Sequence, residues 1–330
     1  IYPIYMVIYW GLSYQVPWAY VLCATALMLG SVMVYFRTSY TGVVLRIIVQ
    51  DGMGIGFISG ITVFVCQLVL YVYPISSNPL LFVLPLILTL ILIGYYQGHR
   101  RVRQYVCIAS SKVQNKSRFV FLSDLHLGTQ NRADLQSILD AIRVENPAFI
   151  LIGGDLIDSS RFNMLDLSPF RECSQPVFFV TGNHEYYIKD YGSKLEQLGD
   201  YNIQLLDNTC VSIGDFNIIG VLDQQSISQK IDVLKSLYQS NQFNISLIHQ
   251  PNCWVLGQPY SDLMLCGHTH NGQIWPFNFL VKLQFSYIYG LYSANLSYLY
   301  VSSGVGTWGP KIRLGSSNEW VVIDIVPSSE

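Results

Sequence analysis

The chain has 330 residues, 51% of them hydrophobic, and a formal net charge of −2. That length holds two units of ordinary size, and a near-neutral balance without a long basic run excludes a nucleic-acid-binding surface as the main business, because phosphate-backbone affinity needs clustered Lys and Arg. Seven scattered cysteines (Cys23, Cys66, Cys107, Cys173, Cys210, Cys253, Cys266) without C-x-x-C spacing point neither to a disulfide framework nor to a structural zinc site, and are expected as buried free thiols.

Residues 1–96 carry three charged side chains, Arg37, Arg46 and Asp51. Within them, residues 17–36, 54–73 and 79–96 are each an uncharged apolar run near the length that a bilayer core requires. Residues 1–12 are apolar and aromatic, too short to span alone unless the start has been removed, and read as a further, N-terminal span. A cleaved signal peptide explains one such run, not three in succession. The alternative, buried core helices, is hard to fit into a small soluble domain. Trp18, Tyr35, Tyr71, Tyr73, Tyr95 and Tyr96 lie near the ends, where interfacial aromatics belong. Residues 37–51 read as a loop bearing Arg37 and Arg46, and Arg100, Arg101 and Arg103 follow the last span, whereas residues 13–17 and 74–78 are uncharged. By the positive-inside bias the Arg-bearing side and everything after it face the cytoplasm, in a multi-pass inner-membrane protein.

Beyond residue 100 the pattern changes to short strands and helices. Strands are predicted over 104–110, 119–122, 148–152, 177–181, 203–206, 210–213, 217–221, 245–248, 263–266, 298–302 and 320–325, with helices over 132–144, 189–198 and 227–238. Five polar clusters follow apolar strands: Asp124 and His126 after 119–122, Gly154-Asp155-Leu156-Ile157-Asp158 after 148–152, Gly182-Asn183-His184-Glu185 after 177–181, His249 after 245–248, and Gly267-His268-Thr269-His270 after 263–266.

Taken singly, each cluster has an ordinary structural explanation. Asp-x-His can be a capped turn, Gly-Asp-x-x-Asp a helix N-cap, and His249 a hydrogen-bonded core histidine. Taken together they do not, because five of the six histidines fall inside them and every cluster ends a predicted strand. Ligands delivered from the carboxyl ends of several strands converge. Imidazole nitrogen, carboxylate oxygen and amide oxygen without thiolate form the donor set of Mn, Fe or Zn at a hydrolytic site, so the five clusters are expected to make one two-metal centre.

This order of motifs resembles the calcineurin-like metallophosphoesterases. The resemblance runs from about residue 104 to the end and extends to Val180-Thr181-Gly182-Asn183-His184-Glu185-Tyr186-Tyr187, His249-Gln250-Pro251, Gly267-His268-Thr269-His270-Asn271-Gly272-Gln273-Ile274-Trp275-Pro276-Phe277 and Trp308-Gly309-Pro310. In detail it is similar to a bacterial branch of membrane-tethered or exported phosphodiesterases that includes lipid-intermediate pyrophosphatases. The resemblance implies an α/β fold, a four-layer α-β-β-α sandwich preceded by an α-helical transmembrane domain. It also implies that Asp124, His126 and His270 hold one metal, that Asn183, His249 and His268 hold the second, and that Asp155 bridges them. His184 is left for proton transfer, with Asp158 orienting it. One departure stands out: Asn271 occupies a position where that branch usually has Gly, and Asn tolerates positive φ better than most residues.

The domain expectation is therefore a membrane domain over 1–96, a basic linker and first strand over 97–117, and a catalytic domain over 118–330. The expected partners are the lipid bilayer and a phosphorylated or nucleotide-linked lipid, with soluble nucleotides as the alternative substrate and a metal-stabilised membrane sensor or scaffold as the non-enzymatic one. Residues 274–292 are crowded with aromatic and aliphatic side chains, which read either as core or as an apolar lid beside the metals. His99 belongs to the basic linker, and the N-x-S/T matches at Asn115, Asn244 and Asn295 are short enough to arise by chance.

Overall fold

The computed structural model describes residues 43–328 apart from 159–161, together with Ile4, Met6, Trp10, Cys23, Ala26 and Gly30. The spans expected over 1–12 and 17–36 lie outside the continuously described residues. The chain divides into two units, Ile1–His99 with Gly309–Leu314, and Arg100–Trp308 with Gly315–Glu330.

In the first unit, helix α1 covers Val43–Val72 and helix α2 covers Leu80–His99. Val49–Val72 and Leu80–His99 are long and apolar enough to cross a membrane. Their side chains are largely exposed, among them Phe64, Leu68, Phe82, Leu88 and Leu92, which suits helices whose solvent is hydrocarbon. Of the loop expected over 37–51, residues 43–51 are helical instead, because α1 is already formed at Val43 and places Arg46 and Asp51 on the helix. Val43-Val44-Leu45-Arg46-Ile47-Ile48-Val49 contains no Gly or Pro, and each residue added to a started helix gains a hydrogen bond. Gly309–Leu314 joins this unit through the Arg313 amide, which donates to Gly94 O (2.9 Å).

Among its described residues the second unit holds twelve strands in two sheets. The first sheet runs β1 (Arg101–Ser110), β12 (Asn318–Pro327), β2 (Ser117–Leu122), β3 (Ile150–Gly153), β4 (Val177–Val180), β5 (Ile203–Leu205). The second runs β10 (Gly290–Ala294), β11 (Ser297–Val301), β9 (Leu263–Cys266), β8 (Phe243–Leu247), β7 (Phe216–Gly220), β6 (Thr209–Ile213). β2 to β5 are mutually parallel, and so are β7, β8, β9 and β11. Two-residue alternation builds the layers. Phe119 and Phe121 of β2 face the interior between the sheets with Ile245, Leu247 and Leu265, while Val120 and Leu122 face outward. The outer face of the first sheet is covered by α3 (Arg132–Arg143) through Leu135, Ile138, Leu139 and Ile142, and that of the second by α5 (Ile227–Leu237) through Leu234. The result is the expected α-β-β-α sandwich. Two short helices, α4 (Tyr191–Glu196) and α6 (Trp254–Gly257), lie in connections.

Several features of this unit differ from the sequence expectation. β1 starts at Arg101 rather than 104 and pairs with β12 in parallel over ten residues, so Arg101 and Arg103 are strand residues bound to Asp134 (3.1 Å) and Glu145 (2.5 Å) rather than linker charges. A 3-10 segment, Met164–Glu172, stands where no element was predicted, capped by Asn163. The apolar run after the last ligand cluster contains helix α7 (Phe277–Gln284) and β10, the latter paired with β11.

Arg118 and Asp324 face each other in the antiparallel register of β2 and β12, and their side chains meet twice, at 2.7 and 2.9 Å. Hydrogen bonding from Arg118 holds the Asp324 carboxyl down to about 2, with Lys116 adding to it. A carboxyl depressed on folding stabilises the fold above its unfolded value near 4 and loses that contribution as the pH falls through the folded value. Replacing Arg118 with Met should therefore lower stability to chemical denaturation at neutral pH, where the contribution is fully present, and raise the acid-unfolding midpoint followed by tryptophan fluorescence, the difference from the parent chain shrinking as the pH falls from about 4 toward 2.

Candidate dinuclear metal centre

All five polar clusters leave the carboxyl ends of strands: Asp124 and His126 after β2, Asp155 and Asp158 after β3, Asn183 and His184 after β4, His249 after β8, and His268 and His270 after β9. Because β2, β3 and β4 are parallel in one sheet and β8 and β9 in the other, these ends open on one edge of the sandwich. Backbone bonds tie the loops together there. Asp124 N donates to Gly154 O (3.1 Å), His126 N to Asp155 O (2.9 Å) and Gly267 N to His249 O (2.9 Å).

Among the described residues three groups of potential ligand atoms result, one of them His126 with Asp158 and His184, and the other two correspond to the predicted ligand sets. Asp124, His126 and His270 offer atoms that all lie within 4.8 Å of one another, with His126 Nε2 and His270 Nε2 3.1 Å apart. Asp155, His249 and His268 form the second group. His249 Nδ1 is 2.8 Å from Gly153 O, and a carbonyl only accepts, so Nδ1 carries the proton and Nε2 keeps its lone pair. That lone pair meets Asn183 Oδ1 at 3.2 Å, Asp155 Oδ2 at 3.3 Å and His268 Nδ1 at 3.2 Å. Electron-rich atoms directed at one another this closely fit a shared cation between them. The seven side chains predicted as ligands are thus brought together, with Asp155 reaching both groups, since its Oδ2 is also 4.0 Å from His126 Nε2.

The electrostatics agree. Burial opposes charge on His249 and His126, but the Asp155 carboxylate beside the first lifts it well above its ordinary value, and Asp158 with Asp155 and Asp124 lifts the second to about 9. Burial likewise opposes charge on Asp155, yet the facing His249 holds it well below the usual carboxylate range. His268 is lowered to about 4 by burial and by the neighbouring His249. A field that pulls protons onto buried imidazoles also draws divalent cations, which displace those protons on binding.

His184 stands at the mouth of the site. Its Nδ1 is 2.5 Å from Asp158 Oδ1, and Thr129 Oγ1 donates to the other Asp158 oxygen (2.5 Å). His184 Nε2 is left 3.9 Å from Asp155 Oδ2. Asp158 also lies 3.5 Å from His126 Nδ1, so one carboxylate orients a ligand-type histidine and the free histidine together. The exposed rings of Tyr187 and Trp308 flank the His184 ring at 5.4 and 6.4 Å, and the Gln273 side chain bonds both backbone groups of Trp308 at 2.9 Å.

Such convergence strains the backbone. Asp124, His126, Asp155, His268, His270, Asn271 and Gln273 all have positive φ, between 48° and 71°, a conformation that costs about 1–3 kcal/mol for each residue with a side chain. Asn271, at φ 51°, takes the conformation for which Asn is among the more tolerant residues. Close approach also demands Gly182, where a Cβ would collide with the Asp155 carboxylate.

Glu185, fully buried, offsets part of this cost. It accepts from Asp155 N (3.1 Å), Ile157 N (2.9 Å) and Gly182 N (2.6 Å), locking the β3 loop to the β4 loop. Burial, then the nearby Asp155 charge, pushes its carboxyl up to about 7. The sequence reading took Glu185 only as part of a motif. Its signal was the spacing, since a carboxylate three residues after Gly182 can reach back to that amide as in a capping box.

The sequence model of the calcineurin-like phosphoesterase family matches residues 117–272. An uncharacterised metallophosphoesterase of Helicobacter pylori is 34% identical over 253 residues, 72% of this chain and 67% of the relative. One from Aquifex aeolicus is 30% identical over 217 residues, 62% of this chain and 82% of the relative. A Danio rerio protein described as a transmembrane protein with metallophosphoesterase domain is 31% identical over 233 residues, 62% of this chain and 52% of the relative.

Removing the carboxylate with Glu185→Ala leaves three loop amides without their acceptor. The expected result is a loss of about 3 kcal/mol in stability by chemical denaturation and a drop in bound metal measured by elemental analysis, while Glu185→Gln, which keeps an acceptor oxygen, loses less of both.

Proposed function

Because this chain belongs to the calcineurin-like metallophosphoesterase family, whose members are metal-dependent phosphoric ester hydrolases, we propose that it works from the membrane as a phosphodiesterase or pyrophosphatase on a phosphorylated or nucleotide-linked lipid. The observation that carries the reading is the pairing of two ligand groups around Asp155 with a free, carboxylate-oriented His184 at the mouth. A metal site with a purely structural role has no use for that last pair.

In this reading Asp124, His126 and His270 would hold one divalent ion and Asn183, His249 and His268 the other, with Asp155 available to both. Mn, Fe and Zn all suit this oxygen and nitrogen donor set. Bound there, two such ions supply Lewis-acid polarisation of the phosphoryl oxygens and a water of lowered pKa as nucleophile. The chain's own residues do the rest. The Asp124 carboxylate is kept in place by the His268 amide, which lies 3.2 Å from both of its oxygens, and Asp155 by the His184 amide at 2.9 Å. Asp158 fixes the ring of His184 through Nδ1, so that Nε2 delivers a proton to the departing ester oxygen. Tyr187 and Trp308 wall the side on which that group leaves.

Anchoring favours a lipid-borne substrate. A chain that carries its own candidate membrane spans stays attached to a bilayer, which makes lipid-borne esters the substrates at hand. We read residues 1–96 as the membrane domain, 97–117 as the linker with the first strand and 118–330 as the catalytic domain, and the positive-inside bias of Arg46 and Arg100, which flank the two described apolar helices, favours the cytoplasm for that side.

Purified protein with Mn²⁺ should cleave an activated phosphodiester such as bis-p-nitrophenyl phosphate, and Asp155→Asn should abolish turnover. A variant that keeps the full rate would remove the two-metal account. His184→Ala should slow esters with alkyl leaving groups by about 10²- to 10⁴-fold and p-nitrophenyl esters far less, because a good leaving group needs no proton. For topology, a cysteine placed at Arg100 in a background free of other accessible thiols should resist membrane-impermeant maleimide in intact cells. Efficient labelling from outside would overturn the cytoplasmic assignment.

A further inference from the structure

Helix α7 is built inside out. None of its residues is buried, and Phe279, Leu280 and Leu283, which share one face at i, i+1 and i+4, are all exposed, Leu283 at 83%. Phe277 on the helix and Trp275 just before it are exposed as well. An apolar stripe turned to water on a short helix marks a surface that something covers.

The chemistry of the surroundings indicates what covers it. From Leu263 to Asn318 the chain contains no Asp or Glu, and Lys282 sits among the exposed apolar residues of the helix. Exposed apolar side chains with an aromatic at the entry and a lysine, in a stretch of sequence that carries no acidic residue, form the pattern of a helix that lies in an anionic membrane interface. The same chain carries helices long and apolar enough to cross a bilayer.

The helix is also joined mechanically to the metal centre. The 3-10 turn His270–Gly272 leads into it, Gly272 touches Asn278 so closely that a Cβ there would collide with it, and at the far end Phe285 packs edge-on against the His268 ring at 5.2 Å. Thr269, between the two histidines, donates to Ile288 O (2.7 Å). Both ends of α7 are therefore fixed to the loop that carries His268 and His270.

We propose that α7 docks into the surface of a bilayer containing anionic lipid, with Phe279, Leu280 and Leu283 below the headgroups and Lys282 among them, and that this docking turns the metal-site mouth toward lipid-borne phosphoesters. The inference rests on the membrane-bound reading above and adds the surface through which the catalytic unit meets lipid.

The full chain, reconstituted in nanodiscs of phosphatidylcholine and phosphatidylglycerol, tests it with Leu283→Trp. The fluorescence of the added indole, taken as the difference from the unsubstituted chain, is expected to be quenched when the acyl chains are brominated, most strongly by bromines near the headgroup. Val144→Trp, next to the amino-terminal end of β3 and so at the opposite edge of the sandwich from the site, is expected to stay unquenched. Absence of quenching at position 283 overturns the proposal, and an emission that is blue-shifted yet unquenched assigns the helix to a protein partner and overturns it as well. A second arm replaces Phe279 and Leu280 with Ser. Turnover of a phosphodiester embedded in the nanodisc is expected to fall about tenfold while a water-soluble ester is cleaved at the original rate, and equal losses on both overturn the proposal. If the unsubstituted chain cleaves soluble but no lipid-borne esters while position 283 is quenched, the lipid-substrate reading fails and the docking surface stands.

Discussion

Asp155 is 2% exposed, and keeping a carboxylate charged at that depth demands positive or polar partners on every side. His249 lies 3.3 Å from it, His184 and His126 about 4 Å, and the His184 amide donates to it directly. The surrounding loops take their shapes from this requirement. Gly182 is bare because the carboxylate fills the space of its side chain, and Glu185 spans the β3 and β4 loops because Asp155 sits between them. The site gathers Asp124, Asp155 and Asp158 among imidazoles of opposed tendency, His126 and His249 drawn toward the protonated form and His268 away from it, a donor arrangement that suits a divalent cation.

The cost of that geometry is spread over left-handed backbone at seven positions and is carried by the parallel strands behind them. Interdigitated faces such as Phe119 and Phe121 against Ile245 and Leu247 form a dry interior that cannot shift to relieve local strain. Strain held in this way preorganises the ligands, so binding need not spend free energy on arranging them. Asp158 extends the same economy by steadying His126 and His184 at once.

Much of the catalytic unit was legible before the fold was known. The predicted strands coincide with the observed ones to within one to three residues, because two-residue alternation and flanking Gly, Asn and Asp are strong local signals. Elements whose cause is not local were missed. Eight residues of α7 give barely two helical turns, too few for a 3.6 period to separate from a β-rich aromatic run, and the 3-10 segment Met164–Glu172 carries a proline at Pro169 that argues against a helix. The helix expected over 189–198 breaks into α4 and a 3-10 turn, starting only after Asp190 adopts positive φ. At the other end, α1 reaches back to Val43 through residues that read as a charged loop, since a single Arg and Asp do not end a helix that is otherwise apolar.

The sequence by itself determined which donor types are present and in what order, because a ligand's chemistry is a property of its side chain and strand-then-ligand order follows from local pattern. It also determined that the amino-terminal part is apolar enough for a bilayer. Only the tertiary structure decided which ligands face which, since that depends on two sheets bringing chain segments more than a hundred residues apart to one edge. It alone fixed the proton of His249 on Nδ1, through the Gly153 carbonyl of another strand, and made Glu185 a clamp rather than a surface acid. It also turned the apolar stripe of α7 outward, for exposure is decided by what packs against a residue and not by the residue itself.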